Sequence, residues 1–170
     1  KVTKTPVLAF FDPNEELVLQ VDSSQSGLGA AIMQKGRPIE YASRALTKAE
    51  QRWAQIEKET LALVFGLERF DQYTYGRAVR VQNDHKPLAT ILKKPLSQAS
   101  RRIQALMMRL YRYDIRFEYV RGTQLFIADT LSRAYLPDPG DDVCVLAVNS
   151  LIDIADKTRQ EVQEATKNDP

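Results

Sequence analysis

The chain has 170 residues, 44% of them hydrophobic, which suits one domain with a sizeable core plus appendages. No apolar stretch approaches the roughly 20 residues of a membrane-spanning helix, no signal-peptide pattern is present, and the only cysteine, Cys144, excludes an internal disulfide and fits a reducing compartment. The net charge of +2 hides an asymmetry: residues 1–137 hold 21 Lys+Arg against 14 Asp+Glu (+7), and residues 138–170 hold 3 against 8 (−5), so the basic body suits a polyanionic partner.

Residues 1–14 read as a lead-in segment, punctuated by Pro6 and by the turn signal Asp12-Pro13-Asn14. From Glu15 a strand is predicted to about Ser23, with Leu17, Leu19 and Val21 on one face and Val18, Gln20 and Asp22 on the other. A second strand over about 28–34 turns through Lys35-Gly36 into a third over about 38–44, which makes an antiparallel meander. The small residues from Gly27 to Ala31 let another element approach the backbone closely. Thr47-Lys48-Ala49-Glu50 is a capping-box pattern and predicts a long helix from Thr47, with Ala49, Trp53, Ile56, Leu63, Val64, Leu67 and Phe70 along its apolar stripe. Glu59 falls at one edge of that stripe and Glu57 near the other, and periodicity alone does not choose between them.

Tyr75-Gly76 closes the helical region, and a fourth strand is expected from about Arg77 to Asn83. A short helix over 86–92 is interrupted at Lys93-Lys94-Pro95. Ser97 is expected to cap a helix to about Tyr113, with Ile103, Leu106, Met107, Leu110 and Tyr111 buried. Ile115, Phe117 and Tyr119 alternate as a fifth strand ending near Gly122, and a last helix covers about 125–134. Residues 135–142 have the composition of a linker, followed by a strand-like apolar run over 143–148 and a polar helix candidate over 153–167. The order predicts an α/β fold: a five-stranded mixed sheet, its first three strands antiparallel, flanked by helices, with the long helix in a right-handed crossover.

Four carboxylates stand in unexpected contexts. Asp22 ends the first apolar strand, Asp84 directly follows the fourth, Asp129 lies inside Phe126-Ile127-Ala128-Asp129-Thr130-Leu131, and Glu59 sits in the long helix. Each alone reads as a turn, cap or solvated residue. Brought together, they would repel one another, and a divalent cation held by oxygen ligands is the usual remedy, which points to metal-dependent phosphodiester chemistry. The basic residues Lys86, Lys93, Lys94, Arg101, Arg102, Arg109 and Arg112 read either as a phosphate-tracking face or as a solvated helix surface.

Five segments then carry a family likeness: Val21-Asp22-Ser23-Ser24-Gln25-Ser26-Gly27-Leu28-Gly29-Ala30, Tyr41-Ala42-Ser43-Arg44, Glu57-Lys58-Glu59-Thr60-Leu61-Ala62, Asp84-His85-Lys86-Pro87-Leu88 and Ala128-Asp129-Thr130-Leu131-Ser132-Arg133. In this order and at these separations the chain resembles, over about residues 6–136, the ribonuclease H domain of reverse transcriptases from gypsy-class long-terminal-repeat retrotransposons. The resemblance implies a ribonuclease-H-like fold over 15–136, an exit from the polymerase part over 1–14, and a linker and acidic tail leading toward integrase over 137–170. The chain would then be a fragment of a pol polyprotein. The acidic set of that family falls on Asp22, Glu59, Asp84 and Asp129, which selects Glu59 over Glu57.

What the resemblance implies chemically is hydrolysis of the RNA strand of RNA–DNA hybrids during retrotransposon reverse transcription. It would proceed with two Mg²⁺ ions roughly 3.5–4 Å apart, for which Mn²⁺ would substitute. Asp22 would bridge the ions, with Glu59 and Asp84 on one and Asp129 on the other. The implied partners are the hybrid and the polymerase and integrase parts of the same polyprotein, with no small-molecule cofactor and no membrane. The implied location is intracellular, in a cytoplasmic retrotransposon particle or the nucleus. Gln25, Ser43, Arg44, Asn83, His85, Lys86 and Arg133 adjoin the motifs and are candidate substrate contacts, with His85 also positioning the turn after Asp84. Such contacts would read groove shape and 2′-hydroxyls. The alternative is a weak or inactive ribonuclease-H-like scaffold, a connection element or host-adopted binding module. The chain departs from the family at Asn83, commonly Thr, and at Leu125, often Asn. It also has no histidine between Arg121 and Ile127, where cellular ribonucleases H carry one.

Overall fold

The computed structural model describes residues 8–134, apart from Lys94. The strand-like run over 143–148, the polar helix candidate over 153–167 and the rest of the acidic tail lie outside the described residues. β1 (Leu17–Ser23), β2 (Gly27–Gln34) and β3 (Arg37–Ala45) form the expected antiparallel meander. The β2–β3 hairpin turns on Lys35 and Gly36, both at positive φ (50° and 71°), and turns of this kind match the twist of paired strands. The chain crosses through α1 (Gln55–Arg69) and α2 (Asp71–Thr74) and returns as β4 (Ala78–Asn83), parallel to β1. α3 (Lys86–Lys93) and α4 (Arg101–Leu110) lead to β5 (Asp114–Tyr119), parallel to β4, and α5 (Phe126–Arg133) follows. The sheet order is β3-β2-β1-β4-β5, a five-stranded mixed sheet flanked by helices.

Strand alternation decides which helix covers which face. Leu19, Val21 and Ala30 face α1, which lies so close that a Cβ on Gly66 would stand 2.9 Å from Val21 Cγ1 and 3.2 Å from Ala30 Cβ. Asp22 pairs with Gly29 across β1 and β2, so both belong to the opposite face. There a Cβ on Gly29 would stand 2.2 Å from the Ala128 carbonyl oxygen and 2.5 Å from Ser132 N. The absent side chain at Gly29 is what lets α5 settle on the sheet, the close approach the Gly27–Ala31 run anticipates. α1 is buried at every position from Glu57 to Leu67, because the sheet lies on one side and α3 and α4 on the other.

Local details differ from expectation. The Thr47–Glu50 box forms, with Glu50 N donating to Thr47 Oγ1 at 3.2 Å and Thr47 N to Glu50 Oε2 at 2.8 Å. It holds only a 3₁₀ turn over Glu50–Arg52, after which Trp53 and Ala54 are extended and α1 begins at Gln55. The competing interaction is local: Ala54 N donates to Glu57 Oε2 at 3.2 Å, which restarts the helix three residues ahead of that side chain. Ser100, not Ser97, caps α4, accepting from Ile103 N at 3.4 Å, and the helix stops at Leu110. Tyr111, expected inside, is 64% exposed, and Tyr113 takes the buried place with its hydroxyl donating to Asp71 Oδ1 at 2.7 Å. Part of the lead-in is fastened to the domain. Ala9 N donates to Pro38 O at 2.7 Å, Gln34 Nε2 donates to Asp12 O at 2.8 Å, and the Phe11 ring lies 5.0 Å from that of Tyr73.

Candidate active site

Parallel pairing brings the C-terminal ends of β1 and β4 side by side, the usual place for a site in an α/β sheet. Asp22 lies near the end of β1, Asp84 directly follows β4, and Glu59 reaches in from the first half of α1. Each offers one carboxylate oxygen, and these three oxygens lie within 4.8 Å of one another. Glu59 and Asp22 are buried and Asp84 is exposed, so the cluster opens to solvent on the Asp84 side.

Buried polar side chains orient the cluster. Glu59 accepts from Gln55 Nε2 at 2.7 Å and from Asn83 Nδ2 at 2.8 Å. Asn83 also donates to Val21 O at 3.0 Å and accepts from His85 N at 2.8 Å, so one fully buried amide ties β1, α1 and the turn that carries Asp84. Asp22 Oδ2 accepts from Ser132 Oγ at 2.7 Å. Burial raises the Asp22 carboxyl above its ordinary range; the Ser132 bond opposes the rise, and Asp84 and Asp129 add to it. Burial pushes Glu59 up to about 7, against the bond from Asn83 and with the Asp22 charge. Two full charges at this separation repel by roughly 3–4 kcal/mol at an effective dielectric of about 20. Glu59 is therefore only partly ionised near neutral pH without a counter-charge.

Asp129 stands outside that trio. Its Oδ1 accepts from Arg133 Nη2 at 2.6 Å, an i,i+4 pair on the surface of α5. Such exposed helix pairs contribute only about 0.3–0.5 kcal/mol, so Asp129 is loosely committed, and its charge is felt at Asp22. Glu57 is separated from Glu59 by its contacts: it accepts from Arg102 Nη1 at 2.6 Å and from Ser100 Oγ at 3.2 Å, and so links α1 to α4.

The candidate substrate contacts divide by exposure. Gln25 and Lys86 are exposed and His85 is half-buried. Gln25 accepts from Lys58 Nζ at 3.3 Å, and Lys86 Nζ lies 4.9 Å from the centre of the Tyr119 ring. Ser43 and Asn83 are buried at 2% and 0% exposure. Their side chains face the interior in this structure, and that of Asn83 is spent on Glu59. Arg44 forms a two-pronged pair with Glu50, 2.9 Å on each prong, and Arg133 holds Asp129. Three of the basic residues read as a possible phosphate face are engaged internally: Arg102 with Glu57 and the Trp53 ring, Arg109 with Glu68, and Arg112 with Asp71. Among the described residues, Lys93 and Arg101 form no ion pair. Sequence reasoning missed Gln55 and Ser132. Gln55 is one helical turn before Glu59 and Ser132 one turn after Asp129, the spacing that could have flagged both.

A mixed sheet in this order, with acids gathered at the ends of adjacent parallel strands, defines a ribonuclease-H-like domain. Residues 12–113 match the family described as the RNase H-like domain found in reverse transcriptase, and the chain belongs to that family. It is 34% identical over 134 residues, 78% of its length, to the retrovirus-related Pol polyprotein from transposon 297 of Drosophila melanogaster. It is likewise 34% identical over 131 residues, 76% of its length, to that from transposon gypsy of the same organism. The chain spans 12% of each of those proteins. Among solved structures it is similar to the foamy viral protease-reverse transcriptase in complex with an RNA/DNA hybrid, at TM-score 0.56 and 22% identity over 79% of this chain and 17% of that one. It is also similar to the N-terminal RNase H domain of a Mycobacterium tuberculosis protein, at TM-score 0.57 and 16% identity over 71% of this chain and 92% of that one. At these identities the structural likeness concerns the fold alone.

Proposed function

We propose that this domain hydrolyses the RNA strand of RNA–DNA hybrids during reverse transcription of a gypsy-class element, with Asp22, Glu59, Asp84 and Asp129 holding divalent cations. The observation that carries the reading is the trio of carboxylate oxygens within 4.8 Å at the strand ends, in a chain of this family. The donor set fits a hard cation such as Mg²⁺ or Mn²⁺: it is all carboxylate, it comes from three places in the fold, and its oxygens lie close enough to share one ion. Bound there, a pair of such cations supplies activation of water and stabilisation of the leaving 3′-oxygen. The chain's own part is positional. Ser132 aims Asp22, while Gln55 and Asn83 hold both oxygens of Glu59. Exposed Asp84 lies on the side open to solvent, and Asp129, held among the described residues only by Arg133, would be the further carboxylate available to a cation there.

Gln25 and Lys86, exposed near the site, are the proposed hybrid contacts from this chain, with the polymerase and integrase parts of the same polyprotein as partners. The proposed setting is an intracellular retrotransposon particle. The test is a labelled hybrid incubated with the purified 170-residue protein. Cleavage of the RNA strand alone, dependent on Mg²⁺ or Mn²⁺ and leaving 3′-hydroxyl and 5′-phosphate ends, is the expected result. Binding of hybrid without cutting, in either metal, would contradict the proposal.

A further inference from the structure

We infer that Gly122 is a positioning residue for Asp84: the lack of a side chain at this one position leaves the Asp84 carboxylate its place in the acidic trio. The inference rests on the metal-binding reading above for its consequence, but not for the contact itself.

Gly122 opens the 3₁₀ turn Gly122–Gln124 in the loop between β5 and α5. It has no backbone reason to be glycine, because its φ lies outside the left-handed region that Gly36 and Gly76 occupy. It is exposed, and only one group crowds it. A Cβ built there would stand 2.8 Å from Asp84 Oδ2 and 3.8 Å from Asp84 Cγ, with no other atom among its near neighbours. The loop is held on both sides of this point. Val120 N donates to Asn83 O at 3.1 Å, Leu125 N donates to Gly122 O at 3.0 Å, and Leu125 itself is buried. Asp84, by contrast, is exposed, and its carboxylate is the far end of a short side chain. When a side chain is added at 122, the carboxylate gives way and the backbone stays. Moving an exposed carboxylate costs the fold little, but it displaces one ligand oxygen of a site type that needs its groups within about 0.5 Å of the productive geometry. The same loop leads into α5, which carries Asp129 and, in Ser132, the donor to Asp22.

The experiment compares wild type, Gly122→Ala, Asp84→Asn and the double variant Asp84→Asn/Gly122→Ala, each as the full 170-residue chain. The carboxyl-carbon resonance of Asp84 is followed by NMR without metal, Mn²⁺ affinity by calorimetry, and melting temperature alongside. Gly122→Ala is expected to move the Asp84 resonance, keep the melting temperature close to wild type and weaken Mn²⁺ binding about 10-fold or more, the usual effect of disturbing a ligand's support. It should add little once Asp84→Asn is in place. An unmoved Asp84 resonance would overturn the inference whatever the metal does. So would an equal further loss of Mn²⁺ affinity in the Asp84→Asn background, or a large drop in melting temperature shared by the double variant, since each would place the effect in the loop and not on Asp84. If wild type binds no Mn²⁺, the proposed function fails, while the metal-free resonance still decides the role of Gly122.

Discussion

At the scale of single residues, the site depends on side chains that carry no charge. Ser132 Oγ is the one side-chain donor to Asp22 among the described residues, and Ser132 is fully buried. Ser132→Ala is expected to keep the fold and to lower metal affinity and cleavage by about 10–100-fold; activity equal to wild type in a kinetic assay would show that Asp22 needs no such support. Glu57 and Glu59 should separate cleanly. Glu57→Ala removes the acceptor of Arg102, Ser100 and Ala54 and is expected to lower stability by about 1–3 kcal/mol while the folded fraction still cleaves. Glu59→Gln should stay folded and lose cleavage. Denaturant melts paired with hybrid assays on both variants check this, and the reverse pattern would mean that the wrong glutamate has been assigned. Asp22, Glu59 and Asp84, whose oxygens the structure brings together, each lie in a recognisable motif of the sequence. The support of Asp22 was not legible, because the Ser132–Asp22 bond joins residues 110 apart and only the fold makes them neighbours.

At the scale of elements, the strands and the start of α3 were legible, and the starts of α1 and α4 were not. Alternation at Leu17, Leu19 and Val21, together with the Lys35-Gly36 turn, located the meander, because a period of two and a turn of two residues leave few choices. α1 was misread at its start, since the capping pattern at Thr47 is real and a second glutamate, Glu57, turns back onto Ala54 to restart the helix. Arg102 and Arg109 of α4 and Arg112 just beyond it could not be assigned from sequence either. Their acidic partners Glu57, Glu68 and Asp71 lie on or beside α1, 41 to 45 residues away. Gly29 shows the reverse case, where small residues announced a close approach without naming α5 as the partner. Gly29→Ala drives a methyl group into the backbone at Ala128 and Ser132. It is expected to cost about 1–3 kcal/mol or more, as overpacking does, and to reduce cleavage as well, because α5 carries Ser132 and Asp129. A melting temperature equal to wild type would show that α5 sits less tightly on β2 than the geometry requires.

At the scale of the whole molecule, a buried acid cluster makes stability depend on pH and metal together. Glu59 titrates at about 7 in the fold against 4.5 when unperturbed. The native state therefore binds the extra proton between those values, and that stabilisation is complete below about 4.5 and lost as the pH rises through about 7. The amount is on the order of 3 kcal/mol, and Asp22, also raised, acts in the same direction. The metal-free protein should lose thermal stability between pH 4.5 and 7, Glu59→Gln should flatten that slope, and Mg²⁺ should restore stability at pH 8. A wild-type slope no steeper than that of Glu59→Gln would mean that burial does not hold the Glu59 carboxyl above its ordinary range. The most direct measurement is cleavage of a labelled RNA–DNA hybrid in Mg²⁺ by wild type and by Asp84→Asn, with circular dichroism confirming that both are folded. Metal-dependent cutting by wild type that is abolished in Asp84→Asn is the expected result; unchanged cutting by the folded variant would contradict the assignment of this cluster as the catalytic centre.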